Sequence, residues 1–359
     1  MRKEAGKAPA HSGLFNSIQV LRGVAALMVV VYHLHDIEQA FGTGASMLDG
    51  VARFGYAGVD IFFVISGFVM AIIARGQFAS PGSAGKFLLN RGIRILPPYW
   101  IYTSMVVALS ILAAGVLNAD SIDKSILASY LLWPQAGFPL LPVGWTLTYE
   151  AYFYLIVAIA IAFVPERRFT AYMCGWAILI ALAQGLTPGM PWQEVVCSPM
   201  GWEFIAGALI GVHWKRLPAH FASLMFWLGA LGFLLAVTLL NKMAIYEHPA
   251  LLRATVFGSC SALIILGLVR GEAARPRSIH SVLRTIGDAS YSIYLSHLFV
   301  IKLAAHLWAR SGMNQTPWSH LVFAFMALAA SAVAGVASYR WLERPLLGLG
   351  KRLLKQATR

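Results

Sequence analysis

Charged side chains are scarce in this sequence, 12% of 359 residues, and acids are the scarcer kind, with 15 Asp and Glu against 28 Lys and Arg. With 58% of residues hydrophobic and apolar runs recurring as far as Tyr339, a single removable signal peptide does not explain the pattern. A polytopic membrane protein does. Cysteine is rarer still. Cys174, Cys197 and Cys260 lie apart in apolar stretches with no CxxC or Cys/His spacing, so neither a disulfide framework nor a metal site is indicated. There is no internal repeat of the kind built into many transporters. No loop exceeds ~30 residues, well short of a domain, so a separate soluble domain is not expected.

What the sequence does contain is a series of apolar windows of ~20 residues, the length a helix needs to cross a bilayer. Ten lie near residues 17–36, 55–74, 96–116, 145–164, 169–186, 195–213, 222–241, 251–269, 286–308 and 320–341. The expected fold is all-α, a polytopic integral membrane protein with about ten transmembrane helices. With the N-terminus inside, the inner segments hold twenty-one basic residues and the outer ones six, Arg22 lying within the first span. That asymmetry supports an N-in, C-in orientation and accounts for the formal charge of +13 without nucleic acid as a partner. The chain divides into a cytoplasmic N-terminal segment (1–16), a membrane domain (17–345) and a basic cytoplasmic tail (346–359). The stretch Met1 to Lys7 leads straight into a full-length span and is expected to stay attached. The longest outer connection, Leu117 to Gly144, carries a pattern from Ser121 to Trp133 that suits a short amphipathic helix at the interface.

Polar residues within spans need a reason, because charge in hydrocarbon is costly and usually faces a cavity or a partner. Arg22 and His33 sit eleven residues apart in the first span. At ~100° per residue they share one stripe, ~16 Å apart along the axis. Counting ~1.5 Å per residue, His33, Asp60, Glu150 and His297 fall toward the outer surface, and Arg22, Arg91 and Arg94 toward the inner one. The outer set permits a cluster with His33 as general base, since a neutral imidazole is suited to taking a proton from an alcohol near neutral pH. Asp36, Asp60 or Glu150 would then fix its tautomer. A buried imidazole bonded to a neighbouring carbonyl is the plainer alternative, and His35 is expected at the interface. In the inner set, Arg91 and Arg94 share one face if the turn before Pro97 is helical. They then form a fork suited to phosphates, or serve only as positive-inside charge. Glu150, in an aromatic band with Trp145 and Tyr149, suits chemistry or packing. Ser66 beside Gly67 suits a site or a close helix contact, and mid-span Glu203 suits structure, gating or chemistry.

Several ordered segments add to this. They are Arg22-x10-His33, the stretch Gly58 to Phe68 (GVDIFFVISGF), Arg91-x2-Arg94, Gly144 to Glu150 (GWTLTYE), Tyr291 to His297 (YSIYLSH) and Trp341 to Pro345 (WLERP). Together they resemble the acyltransferase-3 family of bacterial integral-membrane O-acyltransferases over about Ile18 to Pro345, with the GWTLxYE form looking like the exopolysaccharide acetyltransferase branch. Many members carry two acidic residues at that motif, whereas here Ala151 follows Glu150. The resemblance implies a membrane acyltransferase domain in the bacterial inner membrane. It implies acetyl-CoA as donor and a glycan hydroxyl as acceptor, with no metal. On that footing His33, Asp60 and Glu150 are the expected catalytic residues, and Arg22, Arg91 and Arg94 hold the donor phosphates. Ser66, Trp145, Tyr149, Ser292 and His297 support or contact substrate, and membrane lipids surround the whole. Direct transfer and an acyl-enzyme route both stay open, as does whether the glycan is lipid-linked or already exported. The rival from another class is a transporter of an acyl donor or glycan, which would move substrate without covalent change.

Overall fold

The computed structural model describes residues 15–43, 50–112, 125–243, 249–276 and 278–357. Nearly all of the expected N-terminal segment lies outside these. Every described regular element is helical, and no strand occurs among them. This is the outcome expected where lipid leaves backbone groups no partner outside their own segment. The elements in order are α1 (Asn16–Phe41), α2 (Gly58–Ala74), α3 (Pro81–Leu112), the short α4 (Ile126–Leu131), α5 (Trp145–Phe163), α6 (Phe169–Ala183), α7 (Pro191–Val196) and α8 (Gly201–His213). They continue with α9 (Ala222–Lys242), α10 (Ala250–Leu252), α11 (Ser259–Ala274), α12 (Ser281–Asp288), α13 (Ser290–Arg310), α14 (Pro317–Ser338) and α15 (Arg344–Ala357). Nine helical segments among the described residues are long and apolar enough to cross a membrane. The protein is an all-α, multi-pass membrane protein.

The expected span at 169–186 is the exception, because α6 has only 15 residues. It still runs the depth of its neighbour. Thr170 at one end bonds His213 Nε2 at 2.9 Å, while at the other Ile180 packs on Gly201. The third span also differs from expectation. Its helix starts at Pro81 instead of Leu96 and passes through Pro97 and Pro98, so Arg91 and Arg94 sit well inside a helix, on one face. Prolines at these positions cannot donate to the carbonyls of Ile93 and Arg94. Tyr291 Oη donates to the next carbonyl, that of Ile95, at 2.8 Å. The amphipathic segment before the fourth span is helical over Ile126–Leu131, where Ser125 Oγ caps Ala128 N–H at 3.1 Å; residues 113–124 lie outside the described residues.

At the centre α2 crosses α8 backbone to backbone. A Cβ on Gly67 would stand 2.0 Å from the Phe204 carbonyl oxygen, and one on Gly207 would stand 1.9 Å from that of Val64. Small residues let two helices approach this closely, and carbonyl atoms cannot swing aside as a side-chain tip can. The contact fixes Asp60 and Glu203 side by side. Two π-helical turns, Arg253–Gly258 ahead of α11 and Tyr339–Glu343 ahead of α15, interrupt the regular helices. Such turns are frequent at functional sites, and each carries a charged residue of the interior.

Gly207→Ala is expected to cost roughly 1–3 kcal/mol by overpacking, seen as a lower melting temperature in detergent. Gly175→Ala, where nothing stands within 4 Å of the added Cβ, is expected to leave it unchanged or raised. Equal behaviour of the two variants would contradict this packing.

Candidate active site

One helix supplies both ends of the site. α1 is continuous over Asn16–Phe41, so Arg22 and His33 share a stripe ~16 Å long. Its N-terminus is held by Glu272 of α11, whose carboxylate accepts from the Asn16 and Ser17 amides at 2.7 and 2.8 Å. Its other end is tied to α14 by the buried pair of Glu38 and His320.

At the Arg22 end, Arg94 of α3 comes near Arg22, and Arg91 lies beside Arg94. Arg94, Glu343, Glu150 and Tyr154 all act electrostatically on the Arg22 charge, and Tyr154, Arg94 and Glu150 act on Arg91. The carboxylates are themselves engaged. Glu150 accepts from Ser66 Oγ at 2.9 Å and from Tyr154 Oη, while Glu343 accepts from Ser292 Oγ at 2.6 Å. Asp288 accepts from Gln19 Nε2 at 2.8 Å. Among the described residues no carboxylate oxygen comes within 4.0 Å of Arg22, Arg91 or Arg94. Arg22 has a single long bond, to Gln19 Oε1 at 3.3 Å, and the buried Arg91 Nε has no partner. Tyr154 also stands within hydrogen-bonding reach of Arg91, and among the described residues the three guanidinium groups of this region make few other side-chain bonds.

At the other end His33 stands against His297 of α13, ring centroids 5.2 Å apart. Its side chain is 26% exposed, and its nearest carboxylate is that of Asp36, with Nδ1 to Oδ2 at 3.8 Å. His297 is fully buried, with Nδ1 3.2 Å from the Ile293 carbonyl. A carbonyl only accepts, so Nδ1 carries the proton in that contact and Nε2, buried without a partner, is left as an acceptor. His35, expected at the interface, is buried instead.

The expected outer cluster of His33, Asp60, Glu150 and His297 therefore divides into three. Only the two histidines meet. Asp60, wholly buried, is taken by Arg253 through Nε at 3.3 Å and Nη2 at 2.8 Å, and Glu203 lies beside both. Arg253 in turn lies over the rings of Tyr56 at 4.7 Å and Trp145 at 5.8 Å. Glu150 belongs with the arginines, one turn before Tyr154, not with His33. Arg253, at the edge of the span 251–269, counts in the sequence among the six outer basic residues. The π-helical turn brings it inward, and periodicity gives no sign of that turn. Glu343 and Tyr154 also escape the sequence reading, although Glu343 is the acid of the WLERP segment. Trp145 and Tyr149 pack edge to face at 5.7 Å, and Tyr149 stacks on Phe63 at 6.1 Å.

With this geometry, the comparisons are decisive at family level. A model of the acyltransferase domain matches residues 15–336. The chain belongs to the acyltransferase-3 family. It is 31% identical over 310 residues to the exopolysaccharide production protein ExoZ of Rhizobium meliloti, an alignment covering 83% of this chain and 91% of that one. It is 27% identical over 381 residues to nodulation protein 10 of Rhizobium leguminosarum bv. viciae, covering 97% and 98%. Its identity to the peptidoglycan O-acetyltransferase OatA of Listeria monocytogenes is 24% over 363 residues, covering 92% of this chain and 55% of that relative. No solved structure matches. The protein is a multi-pass membrane acyltransferase.

The two kinds of arginine predict different costs. Arg253→Met strands Asp60 beside Glu203 without a cation and is expected to destabilise the acyltransferase by ~3–5 kcal/mol. Adding Asp60→Asn should recover part of that loss. Arg94→Met, which breaks no ion pair, should cost far less. Unfolding followed in detergent would contradict the assignment if Arg94→Met were the more damaging change.

Proposed function

We propose that this acyltransferase moves an acetyl group from acetyl-CoA to a hydroxyl of a cell-surface or exopolysaccharide glycan, in the bacterial cytoplasmic membrane, with His33 as general base. One observation carries the reading. Arg22, in the arginine region it shares with Arg91 and Arg94 of α3, lies ~16 Å along one continuous helix from a partly exposed imidazole, the kind of separation a long flexible thioester arm bridges. A guanidinium fork suits phosphate geometry, so Arg22, Arg91 and Arg94 hold the charged end of the donor. Glu150 and Glu343, each held by a serine hydroxyl, keep the fork spaced. The names of two relatives, an exopolysaccharide production protein and a peptidoglycan O-acetyltransferase, support a glycan acceptor. With the N-terminus inside, donor phosphates meet arginine on the cytoplasmic side and the acceptor meets His33 toward the outer side. That acceptor is a glycan still linked to lipid or one already exported.

In this reading His33 removes the proton as the acceptor oxygen attacks the thioester carbonyl carbon. The carbon–sulfur bond breaks, and the imidazolium returns the proton to the leaving thiolate, so the ester and the free thiol account for every atom. Asp36 is the carboxylate placed to steady the imidazolium, and His297 Nε2 offers a second acceptor beside it. Asp60, committed to Arg253, has a positioning part. The transporter reading has no observation in its favour once the family is known.

His33→Ala should lower acetyl transfer from radiolabelled acetyl-CoA to the glycan fraction of membranes by ~10²–10⁴-fold at matched expression. Arg94→Ala should raise the donor concentration required by ~10–100-fold, the worth of one or two charge-assisted hydrogen bonds. Full activity of His33→Ala would sink the role given to this imidazole.

A further inference from the structure

A cavity of about 290 Å³ opens beside α5, between the connection from α6 to α7 and the start of α8. Its polar lining is Tyr149, Gln184, Glu194 and Ser198, with Cys197 and apolar side chains such as Leu186 making up the remainder. The volume lies just below the ~300–1,000 Å³ typical of ligand sites. Among the described residues no Lys or Arg lines it, in contrast to the arginine region, so this lining suits a neutral ligand better than a phosphate or a uronate. Its free polar groups mostly accept. Gln184 Nε2 is spent on the carbonyls of Ile180 at 2.9 Å and Cys197 at 2.8 Å, which leaves Oε1. Glu194 makes no ion pair among the described residues, and its carboxylate only accepts.

A chain of packed rings connects this cavity to His33. Tyr149 meets Trp145 at 5.7 Å, Trp145 meets the Arg253 guanidinium at 5.8 Å, and Arg253 lies 4.7 Å from the Tyr56 ring. Tyr56 meets Tyr32 at 5.9 Å, and Tyr32 meets His33 at 5.0 Å. Asp60 pins the guanidinium in the middle of these rings. A neutral pyranose presents hydroxyl donors at its edge and C–H groups on its face. The acceptor oxygens of Gln184 and Glu194 and the ring of Tyr149 in the lining are complementary to both. We infer that the cavity is a recognition subsite for a neutral sugar of the acceptor, a unit other than the one acylated. The inference rests on the glycan-acceptor reading above.

Cys197 in the lining is a built-in reporter. In a Cys174→Ser, Cys260→Ser background in nanodiscs, the rate of Cys197 labelling by a maleimide is measured with methyl glucoside, methyl galactoside, methyl mannoside, N-acetylglucosamine or glucuronate present. At least one neutral sugar is expected to slow labelling severalfold, glucuronate is not, and Glu194→Gln or Gln184→Ala should weaken that protection about tenfold. The same two variants should raise the acceptor KM about tenfold and leave the donor KM unchanged. Protection by none of the neutral sugars, protection that survives both substitutions, or an unchanged acceptor KM would overturn the subsite. Wild-type membranes that transfer no acetyl to glycan would defeat the proposed function instead, a result independent of the labelling.

Discussion

Burying a charge in an apolar bundle costs several kcal/mol unless a partner meets it, and this structure is organised by two answers to that cost. At one place the cost is met within the chain. Arg253 is locked to Asp60 with Glu203 alongside, and aromatic rings cover the guanidinium. At the other it is met only in part. Arg22, Arg91 and Arg94 lie in the field of Glu150 and Glu343 without touching them, and their carboxylates are bonded to Ser66, Tyr154 and Ser292 instead. The proposed function gives those three arginines an anion from outside as their partner.

The helix contacts serve this division. The glycine crossing of α2 on α8 brings Asp60 to Glu203 and sets Ser66 facing α5, where it holds Glu150. α1 then links the arginine region to the histidine pair across a rigid ~16 Å. Local π-helical turns at Arg253 and Glu343 place the two charges that regular helices would have turned elsewhere. Rigid helices carry these residues, so the distance between Arg22 and His33 is a property of the fold.

Much of this is legible in the sequence. Arg22 and His33 are the clearest case, because a spacing of eleven on one helix needs no tertiary knowledge. Arg91 and Arg94 share a face as expected, though on a helix that begins fifteen residues earlier, since two prolines read as a span start are tolerated inside it. The sequence leaves both a site and a close helix contact open for the Ser66–Gly67 pair, and the two residues divide them: Gly67 makes the close contact and Ser66 the bond to Glu150. What counting residues along spans does not reveal is lateral position. Depth alone groups Asp60 and Glu150 with His33, whereas the packing of α2 against α8 turns Asp60 toward Arg253, and Tyr154 draws Glu150 to the arginines. Arg253, at a span edge, is indistinguishable in sequence from a positive-inside exception. The family segments locate these residues without saying which pairs touch.

The central claim is that the arginine region exists to hold the phosphates of the donor. It is tested most directly by measuring binding of coenzyme A to the detergent-solubilised protein, in competition with S-acetylpantetheine, which has the same pantetheine arm and no phosphate. The account predicts salt-sensitive binding of coenzyme A that Arg91→Met and Arg94→Met weaken and S-acetylpantetheine fails to displace. Displacement at equal concentration, or affinity untouched by both substitutions, would contradict it.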